Sequence, residues 1–237
     1  MAQASSVIAL RGVSKDYRGL RPLRIQELEI RDGQTVAILG FDQTTAEVLV
    51  SLITGAITPD SGDVTVFGQS TRDIVDADAW LQGLDHFGIL SERAVLLDQL
   101  TAEQNLAVPF SLELDEMSAD LLGRVRRLAE EVGLDENDLK KGVGALDAGA
   151  RQRVRLGRAL ALQPRVLLAE HPSASLNGEG VPEFAADLSA VVSSRALTSV
   201  VLTADRTFAG AVAPIVLELN PATGELKPSS GWRKWFT

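Results

Sequence analysis

Residues 144–177 read GALDAGARQRVRLGRALALQPRVLLAEHPSASLN, and this stretch is the most informative part of the chain. Its first half has the hydrophobic spacing of a helix over 150–162. The run 166–169 (VLLA) that follows is continuously apolar, as is typical of a parallel strand buried on both faces. A helix that leads into a buried strand predicts an α/β architecture.

The same alternation extends in both directions from this stretch. Further buried-strand runs occupy 35–39, 199–202 and 215–219, and shorter strands are expected at 7–10, 28–30 and 64–67. Helical spacing is found at 48–53, 117–134 and 184–192. Strands that alternate with helices predict a mainly parallel sheet with helices on both faces.

Composition narrows the possible partners and location. The 237 residues carry a formal charge of −9 and a pI of about 4.8, so a phosphate backbone would be repelled and no nucleic acid partner is expected. Cysteine is absent, which excludes disulfides and thiolate metal sites, and we predict no metal ligands. No apolar run approaches the ~18 residues of a membrane span, and the start resembles no signal peptide. We expect a cytoplasmic protein, or one peripheral on the inner face of the membrane.

The 144–177 stretch resembles the ATP-binding subunit of an ABC transporter, which reads LSGGQ-x-QRV-x-x-ARAL…P-x-x-LL-x-DEP-x-x-x-LD. The matching positions are Leu146, Gly149, Gln152, Arg153, Val154, Arg158, Ala159, Leu160, Pro164, Leu167, Leu168, Pro172 and Leu176. Residues 52–68 and 100–109 resemble further family segments, and register holds from about 8 to 224. The resemblance implies a P-loop NTPase-like (ABC ATPase) α/β fold with an antiparallel β-subdomain and a helical subdomain. It implies one domain over 1–237, with a core at about 1–70 and 163–228, a helical subdomain at 71–162 and a tail at 229–237.

The phosphate loop of intact family members is Gly-x-x-x-x-Gly-Lys-Ser/Thr, whose N–H groups and lysine hold phosphates and whose hydroxyl binds Mg²⁺. Here 40–47 reads GFDQTTAE, and only the first glycine, Gly40, is kept. The second glycine, lysine and hydroxyl positions hold, in that order, Thr45, Ala46 and Glu47. Asp42 adds another carboxylate, and unit charges ~4 Å apart repel by roughly 4 kcal/mol near a surface. Intact members use ATP and Mg²⁺, whereas we expect neither cofactor here.

The sequence Thr44-Thr45-Ala46-Glu47 also has the Ser/Thr-x-x-Glu pattern of a capping box. We hypothesise that the Thr44 hydroxyl accepts from the Glu47 N–H while the Glu47 carboxylate accepts from the Thr44 N–H. The alternative is an ordinary surface helix start, which equally predicts no ATP. Tyr17, the sole tyrosine, aligns with the aromatic that stacks on adenine, or it simply packs on its own domain.

The remaining catalytic positions are also substituted. The magnesium-organising Asp, the general base Glu, the switch His and the metal-contacting Gln align, in that order, with Glu170, His171, Ala204 and Glu92. His171 is either a titratable base or a tolerated histidine at a strand end, and we favour the second because no phosphate is expected nearby. The closing Asp of the segment aligns with Asn177.

The signature loop of intact members completes the ATP site of a partner subunit. Its Ser, first Gly, second Gly and Gln align, in that order, with Asp147, Ala148, Gly149 and Ala150. Asp147 would direct a carboxylate towards the partner's γ-phosphate, so both sites of a dimer would be impaired. Losing one preorganised donor commonly costs on the order of 10²–10³ in rate.

Three functions remain open. The first is a pseudo-ATPase subunit of a transport complex, which uses the helical subdomain and the groove at 92–110 to hold a membrane permease or another ABC ATPase subunit, as a dimer. The second is a subunit that still binds ATP through a divergent loop, and the third is a scaffold without a transporter. The tail residues Trp232 and Trp235 contact a partner or membrane surface, or fold back on the domain.

Overall fold

The computed structural model describes residues 6–229, in which ten strands and eight α-helices are found. The strands are β1 (Ser6–Lys15), β2 (Leu23–Arg31), β3 (Thr35–Leu39), β4 (Ser61–Val66), β5 (Gln69–Ser70), β6 (Phe87–Leu90), β7 (Val166–Glu170), β8 (Thr198–Thr203), β9 (Ile215–Leu219) and β10 (Leu226–Pro228). The helices are α1 (Gln43–Ile53), α2 (Ala77–Leu84), α3 (Ala102–Ala107), α4 (Ala119–Glu131), α5 (Glu136–Leu139), α6 (Ala148–Leu160), α7 (Gly180–Ser194) and α8 (Arg206–Val212).

The main sheet has six strands in the order β10-β9-β3-β8-β7-β6. Every pairing from β9 to β6 is parallel, and only β10 joins in antiparallel fashion. The mainly parallel sheet predicted from the alternation of strands and helices is therefore confirmed. The expected short strands at 7–10 and 28–30 are longer in the structure, since β1 and β2 pair along almost their whole length.

The two faces of this sheet are buried against different layers, which explains why its strands are continuously apolar. Along β3, Ala37 and Leu39 belong to a core shared with α3, α4, α6, α7 and α8. Val36 and Ile38, which point the other way, belong to a core shared with α1 and the second sheet. Alternate residues of one strand thus serve two cores, as expected for a strand covered on both sides.

The second sheet is antiparallel, with the order β2-β1-β4-β5, and forms the predicted β-subdomain. The predicted helical stretch 71–162 holds α2 to α6, but it also contributes β6 to the edge of the main sheet. That strand was missed because FGIL is too short to show a period. Among the helices of residues 6–229, none is both long and apolar enough to cross a bilayer. The predicted tail contacts of Trp232 and Trp235 lie outside the described residues.

Candidate functional site

The loops that follow β3, β7 and β8 lie at one edge of the sheet, because these strands are parallel neighbours. This edge carries Gly40 and α1 after β3, Glu170 and His171 at the end of β7, and Ala204 after β8. The structure therefore brings together the sequence-predicted residues of the phosphate loop and those of the catalytic positions. Gly40 has φ +97°, and a Cβ there would lie 2.9 Å from the Leu219 carbonyl oxygen, so the backbone alone requires glycine.

Helix α1 is capped by Asp42, two residues before the position predicted from the sequence. The Thr45 N–H donates to Asp42 Oδ1 over 2.8 Å, and the Asp42 N–H donates to Thr45 Oγ1 over 3.0 Å. The predicted capping box of Thr44 and Glu47 is therefore wrong, although a box exists. Asp42 takes the cap because its extended backbone places the carboxylate opposite the third N–H of the helix.

The Asp42 carboxyl is held in its charged form. Its pKa is lowered chiefly by the hydrogen bond from the Thr45 N–H, then by the Thr45 hydroxyl, with a smaller contribution from His171. Tyr17 lies close enough for Asp42 to raise its pKa, although burial raises that pKa more. Tyr17 also packs, partly buried, against the core that contains α1. These contacts agree with the interpretation that Tyr17 packs on its own domain.

A guanidinium that the sequence analysis did not single out, that of Arg93, lies between two of the predicted site residues. Its Nη2 donates to Glu170 Oε1 over 2.5 Å and its Nε to Glu170 Oε2 over 3.2 Å. The same Nε is 3.2 Å from Glu47 Oε1. Glu170 is 1% exposed, and its Oε2 also accepts from the Ser91 hydroxyl over 2.6 Å. The pKa of Arg93 is raised, first by its hydrogen bonds to Glu170.

The sequence indicated that the site needs a cation, but not that Arg93 supplies it. With carboxylates at Asp42, Glu47 and Glu170 and no lysine in the loop, the site needs a cation from elsewhere. Arg93 stands directly beside Glu92, an aligned position, in the loop that follows β6. The sequence could not identify it, since Glu170 lies 77 residues further along the chain.

Other predicted positions have structural partners of their own. His171 has φ +45°, its N–H donates to the Leu202 carbonyl over 2.7 Å, and its buried Nε2 has no hydrogen-bond partner. Ala204 and Glu92 are exposed, and Glu92 acts electrostatically on Arg155, whose pKa is lowered by burial. The Asn177 side chain accepts from the Gly180 N–H over 2.8 Å.

The signature positions form the start of α6. Asp147 is exposed, and its Oδ1 accepts from the Ala150 N–H over 2.7 Å, so this helix is also capped by an aspartate. Ala148 and Gly149 are the first two helical residues, and Ala150 is buried. Gln152, 1% exposed, donates to the Pro172 carbonyl over 2.7 Å and thereby ties α6 to the loop after β7.

Residues 6–229 contain no group of three or more His, Asp or Glu side chains arranged to hold an ion. The carboxylates of Glu47 and Glu170 are both joined to Arg93.

The sequence model of the ABC transporter family matches residues 23–174, about two thirds of the chain. The chain belongs to the ABC transporter family. The matched residues contain the phosphate-loop and signature positions and the strand-end positions Glu170 and His171, whereas Ala204 lies beyond them.

Curated members of the ABC transporter family agree over most of the chain. The lipoprotein-releasing system ATP-binding protein LolD of Psychrobacter arcticus is 28% identical over 183 residues, which cover 77% of this chain and 80% of that protein. The ABC transporter ATP-binding protein YtrE of Bacillus subtilis is 30% identical over 184 residues, or 77% of this chain and 78% of that one. For the phosphonates import ATP-binding protein PhnC of Anaeromyxobacter dehalogenans, 32% identical, the match spans only 37% of the relative.

Solved structures share the fold of this ABC transporter family member. The dimeric structure of MJ0796, a bacterial ABC transporter cassette, superposes with a TM-score of 0.76 at 24% identity, over 94% of this chain and 98% of that one. CbiO1 from Clostridium perfringens, part of the transporter complex cbiONQ, gives a TM-score of 0.79 at 19% identity, over 95% and 88%. The chain therefore has the ABC ATPase cassette fold, as predicted.

Proposed function

We propose that this member of the ABC transporter family is a pseudo-ATPase, a subunit that does not hydrolyse ATP and acts structurally or as a regulator in a transport complex. The observation that carries the proposal is the charge at the site. Glu47 and Glu170 stand where intact members place metal-binding groups, and both carboxylates are already paired with the single guanidinium of Arg93, so their site stays net negative. Side chains that a bound nucleotide and its metal would need are thus already paired with one another within the chain.

The residues present do not fit a magnesium–nucleotide complex. A phosphate at the start of α1 needs free N–H donors, but the Thr45 N–H is bound to the Asp42 carboxylate. That carboxylate would repel the phosphates by roughly 4 kcal/mol per unit charge at ~4 Å in a surface-like dielectric. A lysine would offset this, and Ala46 stands in its place, fully buried.

The start of α6 supports the same conclusion for a site shared with a second subunit. In intact members of the family, the corresponding helix offers its N-terminus to a γ-phosphate that a partner subunit binds. Here the Asp147 carboxylate accepts the Ala150 N–H, which both occupies the donor and adds negative charge. The pseudo-ATPase would therefore fail to complete an ATP site on a partner as well as its own.

Binding of fluorescently labelled ATP in the presence of Mg²⁺ tests the proposal directly. We expect no saturation in the micromolar range, with an intact ABC ATPase under the same conditions as the positive control. Micromolar affinity would contradict the pseudo-ATPase and favour the subunit that binds ATP through a divergent loop.

The proposed role in a transport complex rests on membership of the ABC transporter family and on the segment 92–110 of the helical part. The segment from Glu92 to Phe110 is held by internal hydrogen bonds: Asn105, fully buried, accepts from the Leu97 N–H over 2.9 Å and donates to the Thr101 carbonyl over 3.0 Å. Val95 in the same segment is 68% exposed and available to a permease or another ATPase subunit.

Affinity purification from detergent-solubilised membranes tests this role. We expect a membrane permease or an ABC ATPase subunit to be recovered with the chain in constant ratio. Recovery of the chain alone after gentle extraction would support the scaffold without a transporter instead.

A further inference from the structure

Ser91, Arg93 and Glu170 form a closed ring of hydrogen bonds at the end of β6 and β7. The Ser91 hydroxyl donates to Glu170 Oε2 over 2.6 Å and accepts from the Arg93 N–H over 3.2 Å. The Arg93 guanidinium closes the ring with its two bonds to Glu170. Because both Ser91 and Glu170 are buried, the ring fixes the direction in which the chain leaves β6.

The guanidinium also reaches a third element. Its Nε lies 3.2 Å from Glu47 Oε1 on the first turns of α1, so Arg93 joins α1, the end of β7 and the loop after β6. Two carboxylates that face one another would repel without a cation between them. Their arrangement is stable because a forked, permanently charged group lies in that position.

We infer that Arg93 is an internal cation that takes the place of the metal ion of intact members and holds the loop after β6 in one arrangement without nucleotide. This inference rests on the proposed function and deepens it. The set of Ser91, Arg93, Glu47 and Glu170 is called the Arg93 bridge below.

The Arg93 bridge has a consequence for the partner surface. The loop it holds leads directly to Val95 and to Leu97, whose N–H is bound by Asn105. Arg158 of α6 donates to the Val95 carbonyl over 2.7 Å, so both ends of this short loop are fixed. A subunit built this way holds this surface in one arrangement, whereas in intact members the position that aligns with Glu92, next to Arg93, contacts the metal.

Hydrogen exchange of the nucleotide-free protein, read at residues 91–97, tests the role of Arg93. The variants are Arg93→Ala and Arg93→Lys. Arg126→Ala serves as the control, because Arg126 is exposed and its ion pair with Glu103 is weak, with the two groups 3.8 Å apart. A charged hydrogen bond stabilises by about 1.5–3 kcal/mol, so exchange in Arg93→Ala should be at least roughly tenfold faster. Arg93→Lys should fall between, and Arg126→Ala should match the wild type.

Unchanged exchange at 91–97 in Arg93→Ala would overturn the inference. If that variant unfolds as a whole, amides of the central strand β3 will exchange faster too, and Arg93→Gln, which removes the charge but keeps much of the side-chain length, then becomes the deciding variant. Exchange of Arg93→Gln at 91–97 equal to that of the wild type would then count against the role of Arg93.

Added Mg²⁺ tests whether Arg93 stands in the place of a metal. Magnesium chloride should slow exchange at 91–97 in Arg93→Ala, and leave both the wild type and the double variant Arg93→Ala/Glu170→Gln unchanged. An equal effect of Mg²⁺ on all three proteins would refute the inference that Arg93 stands in the place of a metal ion. The two proposals fail separately: ATP binding by the wild type would contradict the pseudo-ATPase alone, and unaltered exchange in Arg93→Ala would contradict the Arg93 bridge alone.

Discussion

Replacing Asp42 by alanine removes the carboxylate that accepts the Thr45 N–H at the start of α1. The freed N–H lies at an exposed helix end, where water reaches it, so the loss is that of a helix cap and not of a buried hydrogen bond. Such caps are worth about 1 kcal/mol. For a chain of 237 residues this corresponds to a decrease in Tm of about 2–4 °C.

Thr44→Ala is the matched comparison, because the sequence pattern gave the cap to Thr44 and the structure gives it to Asp42. Thr44 is exposed, and alanine is the better helix former, so Thr44→Ala should be neutral or slightly stabilising. Asp42→Asn keeps the acceptor and should lose less than half of what Asp42→Ala loses.

Urea unfolding followed by circular dichroism at several pH values measures all three variants. The folded-state pKa of Asp42 is below its ordinary value of 3.8, so its contribution is present above pH 3.8 and is lost as the pH falls through the lower, folded value. The difference between wild type and Asp42→Ala should therefore shrink in acid. A cost for Thr44→Ala equal to that for Asp42→Ala would refute the assignment of the cap.

Two further substitutions, each paired with a control variant, test the frame around the site. Gly62→Ala should destabilise the fold by about 3 kcal/mol, because φ is +77° and the new Cβ would lie 2.3 Å from the backbone of Gly12. Gly68→Ala, with φ +82° and open space around the new Cβ, should cost only about 1 kcal/mol. Equal unfolding midpoints in urea for the two variants would contradict this prediction. Asn105→Ala leaves the Leu97 N–H without its acceptor and should cost about 2 kcal/mol, with the exposed Gln99→Ala as a neutral control in the same assay.

Much of the fold could be predicted because its hydrophobic pattern is local. The run TVAIL became β3 with the predicted bounds, and the strand predicted at 215–219 became β9 with its predicted bounds. The lengths of β1 and β2 were underestimated from the sequence, since the polar residues at their exposed ends are held by pairing between the two strands. The two-residue β5 and the short β6 have too few residues to show a period.

The sequence by itself determined the family, the four central strands of the main sheet and the places where the phosphate-loop, signature and strand-end positions lie, because each is encoded in adjacent residues. It did not determine which residue caps α1, since the Thr44 hydroxyl and the Asp42 carboxylate offer competing patterns and backbone geometry at the turn selects between them. Nor did it determine the partner of Glu170. That partner, Arg93, is 77 residues away and is brought to Glu170 only when β6 pairs beside β7, because a buried carboxylate accepts whichever cation the fold places within reach.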